Sequence, residues 1–272
     1  MLRLIALAVL AILFSKSAHS GEVDCAQADH ISRVQGKELC LVIRTFAGKL
    51  AKPDPTLVVF LHGDTSSGGP SSYLYPYAER WADERTISVA MIRPGYYDNE
   101  RNQSTGSDLG RRDNYMPDYM DAVADAVSRL KVHHKAARVV LFGHSGGAAT
   151  AANILGRHPG LANAALLLSC PCNLSSWRAQ RDRSGTSGWT RSLSPHSVMD
   201  RIPEATIVVA AVGEGDSNTQ PILSKDYAET LAARGVKARY LPIPGAGHNF
   251  DAAIRENAAF NAALRELVSG AQ

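Results

Sequence analysis

A chain of 272 residues, 45% hydrophobic and 20% charged, is a folded protein rather than a disordered or fibrous one. Lys and Arg number 29 against 26 Asp and Glu, a formal charge of +3, with no basic stripe suited to nucleic acid and no acidic tract. The length fits one large α/β domain or two small ones and is enough to bury a large core.

Residues 1–20 read as a secretory signal peptide. Arg3 supplies the positive start, 4–14 is an uninterrupted apolar run, and 15–20 is polar with small residues at Ala18 and Ser20, which places cleavage after Ser20. The run is shorter than the roughly 20 apolar residues that span a bilayer. The expectation is export to a periplasm or beyond the cell, with one domain over 21–272 that no membrane holds. Losing Arg3 and Lys16 brings that domain close to neutrality. The four cysteines are Cys25, Cys40, Cys170 and Cys172, an even number that suits disulfides in an exported chain. Three pairings exist, and nearness in sequence favours Cys25 with Cys40 and Cys170 with Cys172. No histidine lies at zinc-ligand spacing from either pair, so no metal is expected.

The segment 40–46 is β-rich and predicts an early edge strand or hairpin, and 52–55 a turn. Apolar runs follow at 56–61, 86–92, 137–142, 162–168, 205–212 and 236–242. Runs apolar on both faces are what buried parallel strands look like. Helical spacing marks 117–132, opened by Pro117, and a helix rich in small residues is expected over 146–155. Two more are expected over 221–234, closed by Gly235, and over 250–268. Strands alternating with helices across short loops predict one doubly wound, mostly parallel sheet with helices on both faces. Two long polar stretches interrupt it, 95–114 and 174–200, the second placed as a short cap insertion.

The chemistry concentrates at Gly143-His144-Ser145-Gly146-Gly147, between a strand and a helix. A serine there sits in a sharp turn with its hydroxyl raised above the sheet, and the Gly146 N–H faces a developing oxyanion at a helix N-terminus. A serine needs a base and an orienting acid, arriving later in the order acid, base. Asp216, in the loop after the run ending at Val212, is the fitting acid, with Glu214 as the fallback. His248, in the Gly-rich loop 245–248, is the base. The loop after the first parallel strand, His62-Gly63-Asp64, offers the N–H of Asp64 as second oxyanion donor. Tyr96, Tyr115 and Trp177 are candidate apolar walls for substrate, together with Tyr97 and Trp189, and Arg111, Arg112, Arg178 and Arg181 are candidate anion contacts.

On these residues the chain resembles the α/β-hydrolase superfamily over about residues 56–268. Ser194-Pro195, Ile202-Pro203, Gly213, Asp216 and the segment Pro244-Gly-Ala-Gly-His248-Asn-Phe250 resemble its prolyl-oligopeptidase-like and dienelactone-hydrolase-like branch. That branch usually has an aromatic residue after the serine, where this chain has Gly146. The resemblance implies Ser145 as nucleophile, Asp216 as acid, His248 as base and N–H donors at Asp64 and Gly146, with no cofactor. The expected activity is hydrolysis of carboxylic esters through an acyl-enzyme. The close alternative is a small peptidase or amidase acting on short peptides, and the distant one a non-catalytic binding protein.

Overall fold

The computed structural model describes residues 25–48, 52–109, 115–181 and 191–270. The expected signal peptide, Trp189, Arg111 and Arg112 lie outside the described residues.

The element order is β1 (Arg33–Gly36), β2 (Leu39–Phe46), β3 (Thr56–Leu61), α1 (Tyr75–Glu79), β4 (Thr86–Met91), α2 (Pro117–His133), β5 (Arg138–His144), α3 (Gly146–Arg157), β6 (Ala164–Leu168), α4 (Leu174–Gln180), β7 (Ile207–Gly213), α5 (Pro221–Ala233), β8 (Lys237–Ile243), α6 (Ala252–Arg255) and α7 (Ala258–Ser269). The strands form one sheet in the order β1-β2-β4-β3-β5-β6-β7-β8. The β1–β2 and β2–β4 pairs are antiparallel, and all later pairs are parallel.

The period of two in a strand divides the core between the two faces. On one face Leu57, Val59, Leu61, Val139 and Leu141 pack with Val123 and Val127 of α2, Ile154 and Leu155 of α3, and Tyr227 and Leu231 of α5. On the other, Val58, Phe60, Val140 and Phe142 pack with Tyr77 of α1, Ile254 of α6, and Phe260 and Leu264 of α7. The central strands are therefore buried on both faces and mostly apolar, as the runs in the sequence suggested.

The structure departs from expectation at the margins. The segment 40–46 lies in β2, which forms the expected hairpin with β1, and it is the inner strand of that hairpin because β1 takes the edge. The last strand, β8, is the opposite edge and is largely exposed or half-exposed rather than buried on both faces. The expected closing helix is two, α6 and α7. Glu256 ends the first and Asn257 caps the second, its side chain accepting from the Phe260 N–H at 3.0 Å. The polar stretch 174–200 begins with α4 and ends in two short 3-10 turns, Pro195–Ser197 and Met199–Arg201.

Cys25 is bonded to Cys40, and Cys170 to Cys172. The first bond closes a separation of 15 residues and ties the chain ahead of β1 to β2. Closing a loop of that length removes about 3 kcal/mol of unfolded-state entropy. Replacing Cys25 and Cys40 together by Ser is expected to lower the unfolding free energy by about that amount in a urea titration.

Candidate active site

The chain leaves β3 for β4 on one side, and β5 returns to pair with β3 on the other. Such a reversal of strand order opens a crevice at the carboxyl ends of the two strands, where ligands of open α/β sheets bind. Here those ends are His62-Gly63-Asp64 and His144-Ser145.

Ser145 stands between β5 and α3 with φ 54° and ψ −118°, a backbone region that a non-glycine residue occupies at a cost of roughly 1–3 kcal/mol. Its N–H donates to the Leu168 carbonyl at 2.8 Å, and its carbonyl accepts from Ala148 at 2.9 Å. The turn can be this tight only without side chains beneath it. A Cβ on Gly147 would meet the Leu61 and His62 carbonyls, and one on Gly143 would meet the Gly147 backbone.

His248 Nε2 lies 3.1 Å from Ser145 Oγ, and its Nδ1 lies 2.9 Å from Asp216 Oδ2. Asp216 is buried, 2% exposed, and its other oxygen accepts from the backbone N–H groups of Asn218 (2.9 Å) and Thr219 (2.8 Å). The Thr219 hydroxyl donates to Asp216 Oδ2 at 2.7 Å, and its oxygen sits 3.2 Å from His248 Nδ1. Burial alone would raise the carboxyl pKa. The His248 and Thr219 hydrogen bonds outweigh it and hold Asp216 below the usual carboxylate range. An ionised Asp216 fixes the proton on Nδ1 of His248 and leaves Nε2 as acceptor toward the serine. The fallback acid, Glu214, has no part in this line.

The loop after β3 is held by side chains from other segments. Gly63 lies against Ser145, where an added Cβ would come within 3.0 Å of the serine Cβ. The Asp64 carboxylate accepts from Arg93 (2.7 Å), the Tyr96 hydroxyl (3.1 Å) and the Tyr115 hydroxyl (2.7 Å). Arg93 also donates from its other terminal nitrogen to the His62 carbonyl at 3.0 Å, and its N–H donates to His62 Nε2 at 2.9 Å. Burial opposes the guanidinium charge, but Asp64, Tyr96 and Tyr115 raise its pKa above the usual arginine value. A Cβ on Gly146 would collide with the Asp64 carboxylate, so the residue after the serine is glycine and not aromatic. Gly146 opens α3, in the first turn, where helix N–H groups have no partner within the helix.

Tyr96 and Tyr115 are buried, and their hydroxyls turn inward on Asp64. Trp177 is buried with Tyr115, Met120, Leu174 and Leu223, and its indole N–H donates to the Asn218 carbonyl at 2.9 Å, bracing the loop that carries Asp216. Tyr97 is half-buried, and Arg178 and Arg181 lie at the end of α4. The sequence reading passed over four residues that serve the site: Tyr73, Arg93, His144 and Thr219. Arg93 offered only a weak signal, a charge just after the apolar run of β4, the neighbour of β3. Among the described residues no group of three or more His, Cys, Asp or Glu could hold a metal ion, and no helix is long and apolar enough to cross a membrane.

A serine seated this way at the switch point of a mostly parallel eight-stranded sheet defines an α/β serine hydrolase. Residues 98–242, more than half of the chain, match the serine aminopeptidase, S33 family, and the chain belongs to it. No curated protein matches in sequence. Three solved structures share the fold. An α/β serine hydrolase without lid from Xanthomonas campestris is 14% identical, with a TM-score of 0.59 over 87% of this chain and 93% of that one. The Pyrococcus furiosus esterase is 15% identical, with a TM-score of 0.67 over 88% and 90%. A puromycin hydrolase is 18% identical, with a TM-score of 0.66 over 89% of this chain and 39% of that one.

Two expected outcomes follow from the buried groups. The Arg93–Asp64 pair has side chains only 5% and 11% exposed. Arg93→Met leaves Asp64 buried without its cation and should cost about 3–5 kcal/mol in denaturant unfolding. Arg93→Met with Asp64→Leu should recover only part of that loss, because it removes the uncompensated charge but also the acceptor of the Tyr96 and Tyr115 hydroxyls. His144, in turn, has its pKa lowered from 6.5 to about 4 by burial and by the neighbouring His248. The unfolded chain takes up that proton near 6.5 and the folded chain only near 4. Stability is therefore complete above about 6.5 and falls by roughly 3 kcal/mol as the pH drops to 4. Unfolding followed across that range should show this loss, and His144→Gln should remove it, leaving the dependence contributed by His134, whose pKa burial also lowers to about 4.

Proposed function

We propose that the protein is an exported serine hydrolase that cleaves carboxylic esters through an acyl-enzyme. The observation that carries this reading is the continuous line from Ser145 Oγ through His248 to Asp216, at 3.1 and 2.9 Å. In this reading His248 Nε2 takes the proton of Ser145 as its oxygen attacks the ester carbonyl. The tetrahedral oxyanion is met by the N–H groups of Asp64 and Gly146, each contributing about 3–4 kcal/mol. His248 then protonates the departing alcohol. Water, deprotonated by the same nitrogen, attacks the acyl-enzyme and releases the acid and the serine. Asp216 stays ionised throughout and stabilises the imidazolium.

The esterase among the structural relatives supports an ester substrate. The family's description and the puromycin hydrolase support the second reading, a peptidase or amidase with the same three residues. Export rests on residues 1–20 and agrees with two disulfides.

A fluorophosphonate probe with intact-mass detection tests the chemistry. One adduct on the wild-type protein and none on Ser145→Ala is expected, and Asp216→Asn should lower kcat by about 10⁴. Turnover of p-nitrophenyl esters above aminoacyl-prolyl amides supports the esterase reading, and the reverse order supports the peptidase. A well-folded wild type that takes no label would overturn both in favour of a binding protein.

A further inference from the structure

The hydrogen bonds around His144 form a chain that the reaction itself does not use. The Gly63 N–H points at the Tyr73 hydroxyl at 2.6 Å. That hydroxyl lies 2.6 Å from His144 Nδ1, and His144 Nε2 lies 2.9 Å from the His248 carbonyl. Chemistry permits one order of protons along it. The His248 carbonyl can only accept, so Nε2 carries the hydrogen. A neutral imidazole then has Nδ1 as acceptor, and the Tyr73 O–H must donate to it. The phenol oxygen keeps its lone pairs for the Gly63 N–H. Every group in the line is satisfied, and each has one role.

The chain is enclosed. His144 is 6% exposed, and Phe250 packs on both rings, 5.8 Å from His144 and 6.4 Å from Tyr73 between centroids. Burial and the facing His248 favour the neutral imidazole that this order requires. The two ends of the chain lie in segments with no regular structure of their own. Gly63 precedes the residue whose N–H we assign to the oxyanion, and His248 is the base at the end of a Gly-rich loop.

We propose that Tyr73 and His144 are positioning residues that hold the oxyanion loop and the catalytic base in fixed register, through the ordered line Gly63 N–H, Tyr73 hydroxyl, His144 imidazole, His248 carbonyl. This rests on the assignment of Ser145 and His248 made above. Tyr73 fixes the peptide plane between His62 and Gly63, and hence the start of the turn into Asp64. His144 fixes the backbone of His248, and hence the origin from which its ring reaches Ser145. A displacement of about 1 Å between such groups costs up to roughly 100-fold in rate.

The test is a double-variant cycle with Tyr73→Phe, His144→Leu and both together, read by kcat and KM on a p-nitrophenyl ester and by the second-order rate of fluorophosphonate labelling. Each single variant should lose roughly 10- to 100-fold in kcat and in labelling rate, with KM within about twofold of wild type. The double variant should be no slower than the slower single one, because either substitution already breaks the line. Losses that multiply in the double variant would overturn the chain as a unit. Unchanged kcat in Tyr73→Phe, with a lowered melting temperature, would reduce the residue to a packing role. Should His144→Leu fail to fold, Tyr73→Phe alone decides, through its kcat against its KM. A wild type that takes no label overturns the proposed function. A labelled wild type beside an equally fast Tyr73→Phe overturns only this inference.

Discussion

The contact on which the site depends is the approach of three backbone segments: the end of β3, the turn after β5 and the first turn of α3. Gly147 lies under the Leu61 and His62 carbonyls, Gly143 lies against Gly147, and Gly63 faces Ser145. Any side chain at the first two positions would push the strand end and the helix apart. The strand order makes the approach unavoidable, since β3 and β5 are neighbours in parallel register, with Leu61 opposite Gly143. The same approach stores strain at Ser145, whose positive φ is held by the hydrogen bond to Leu168 and by a helix buried at nearly every position. Strain of this kind persists only where the surroundings over-determine it. Here a fully packed core on both faces of the sheet does so.

The same crowding brings a carboxylate to the elbow. Asp64 sits against Gly146, beside the place where a negative charge would develop, and unpaired it would oppose that charge. Arg93 and two tyrosine hydroxyls neutralise and saturate it. A buried ion pair with that many partners adds little net stability over an apolar packing, because desolvation cancels most of the attraction. Its contribution is geometric: a saturated polar network admits one arrangement, where an apolar cluster would tolerate several. Tyr96 and Tyr115, candidate substrate walls in the sequence, give their hydroxyls to this network.

The parallel strands were legible because burial on both faces leaves no alternation to misread, and the elbow was legible because strand, Gly-x-Ser-x-Gly and small-residue helix coincide at residues 138–157. That Asp216 and His248 would lie near Ser145 was legible from chain order and from their places in the loops after later strands. What escaped was set by partners distant in sequence. Arg93 reads as a loop charge until Asp64, 29 residues away, is placed beside it, and Tyr73 reads as a loop aromatic until His144, 71 residues away, is known to face it. Thr219 is silent because a hydroxyl three residues after an aspartate also fits an ordinary turn. Edge positions were misjudged because the apolar residues of β8 were given more weight than its Lys237, Arg239 and Pro242, which suit a strand with no neighbour outside it.

The loop 62–64 shows how an irregular segment acquires the rigidity of an element. Its backbone lacks ladder partners at the end of β3, so its polar groups need others. Arg93 takes the carbonyl of His62, Tyr73 takes the N–H of Gly63, and Arg93 with Tyr96 and Tyr115 takes the side chain of Asp64. Three successive residues are thus fixed from separate parts of the chain, through side chains that are themselves buried or half-buried. Donors aimed at a developing charge stabilise it only if they need not reorganise when it forms. A loop tied at every residue meets that condition, and the tethers account for charged and phenolic groups that a core would otherwise exclude.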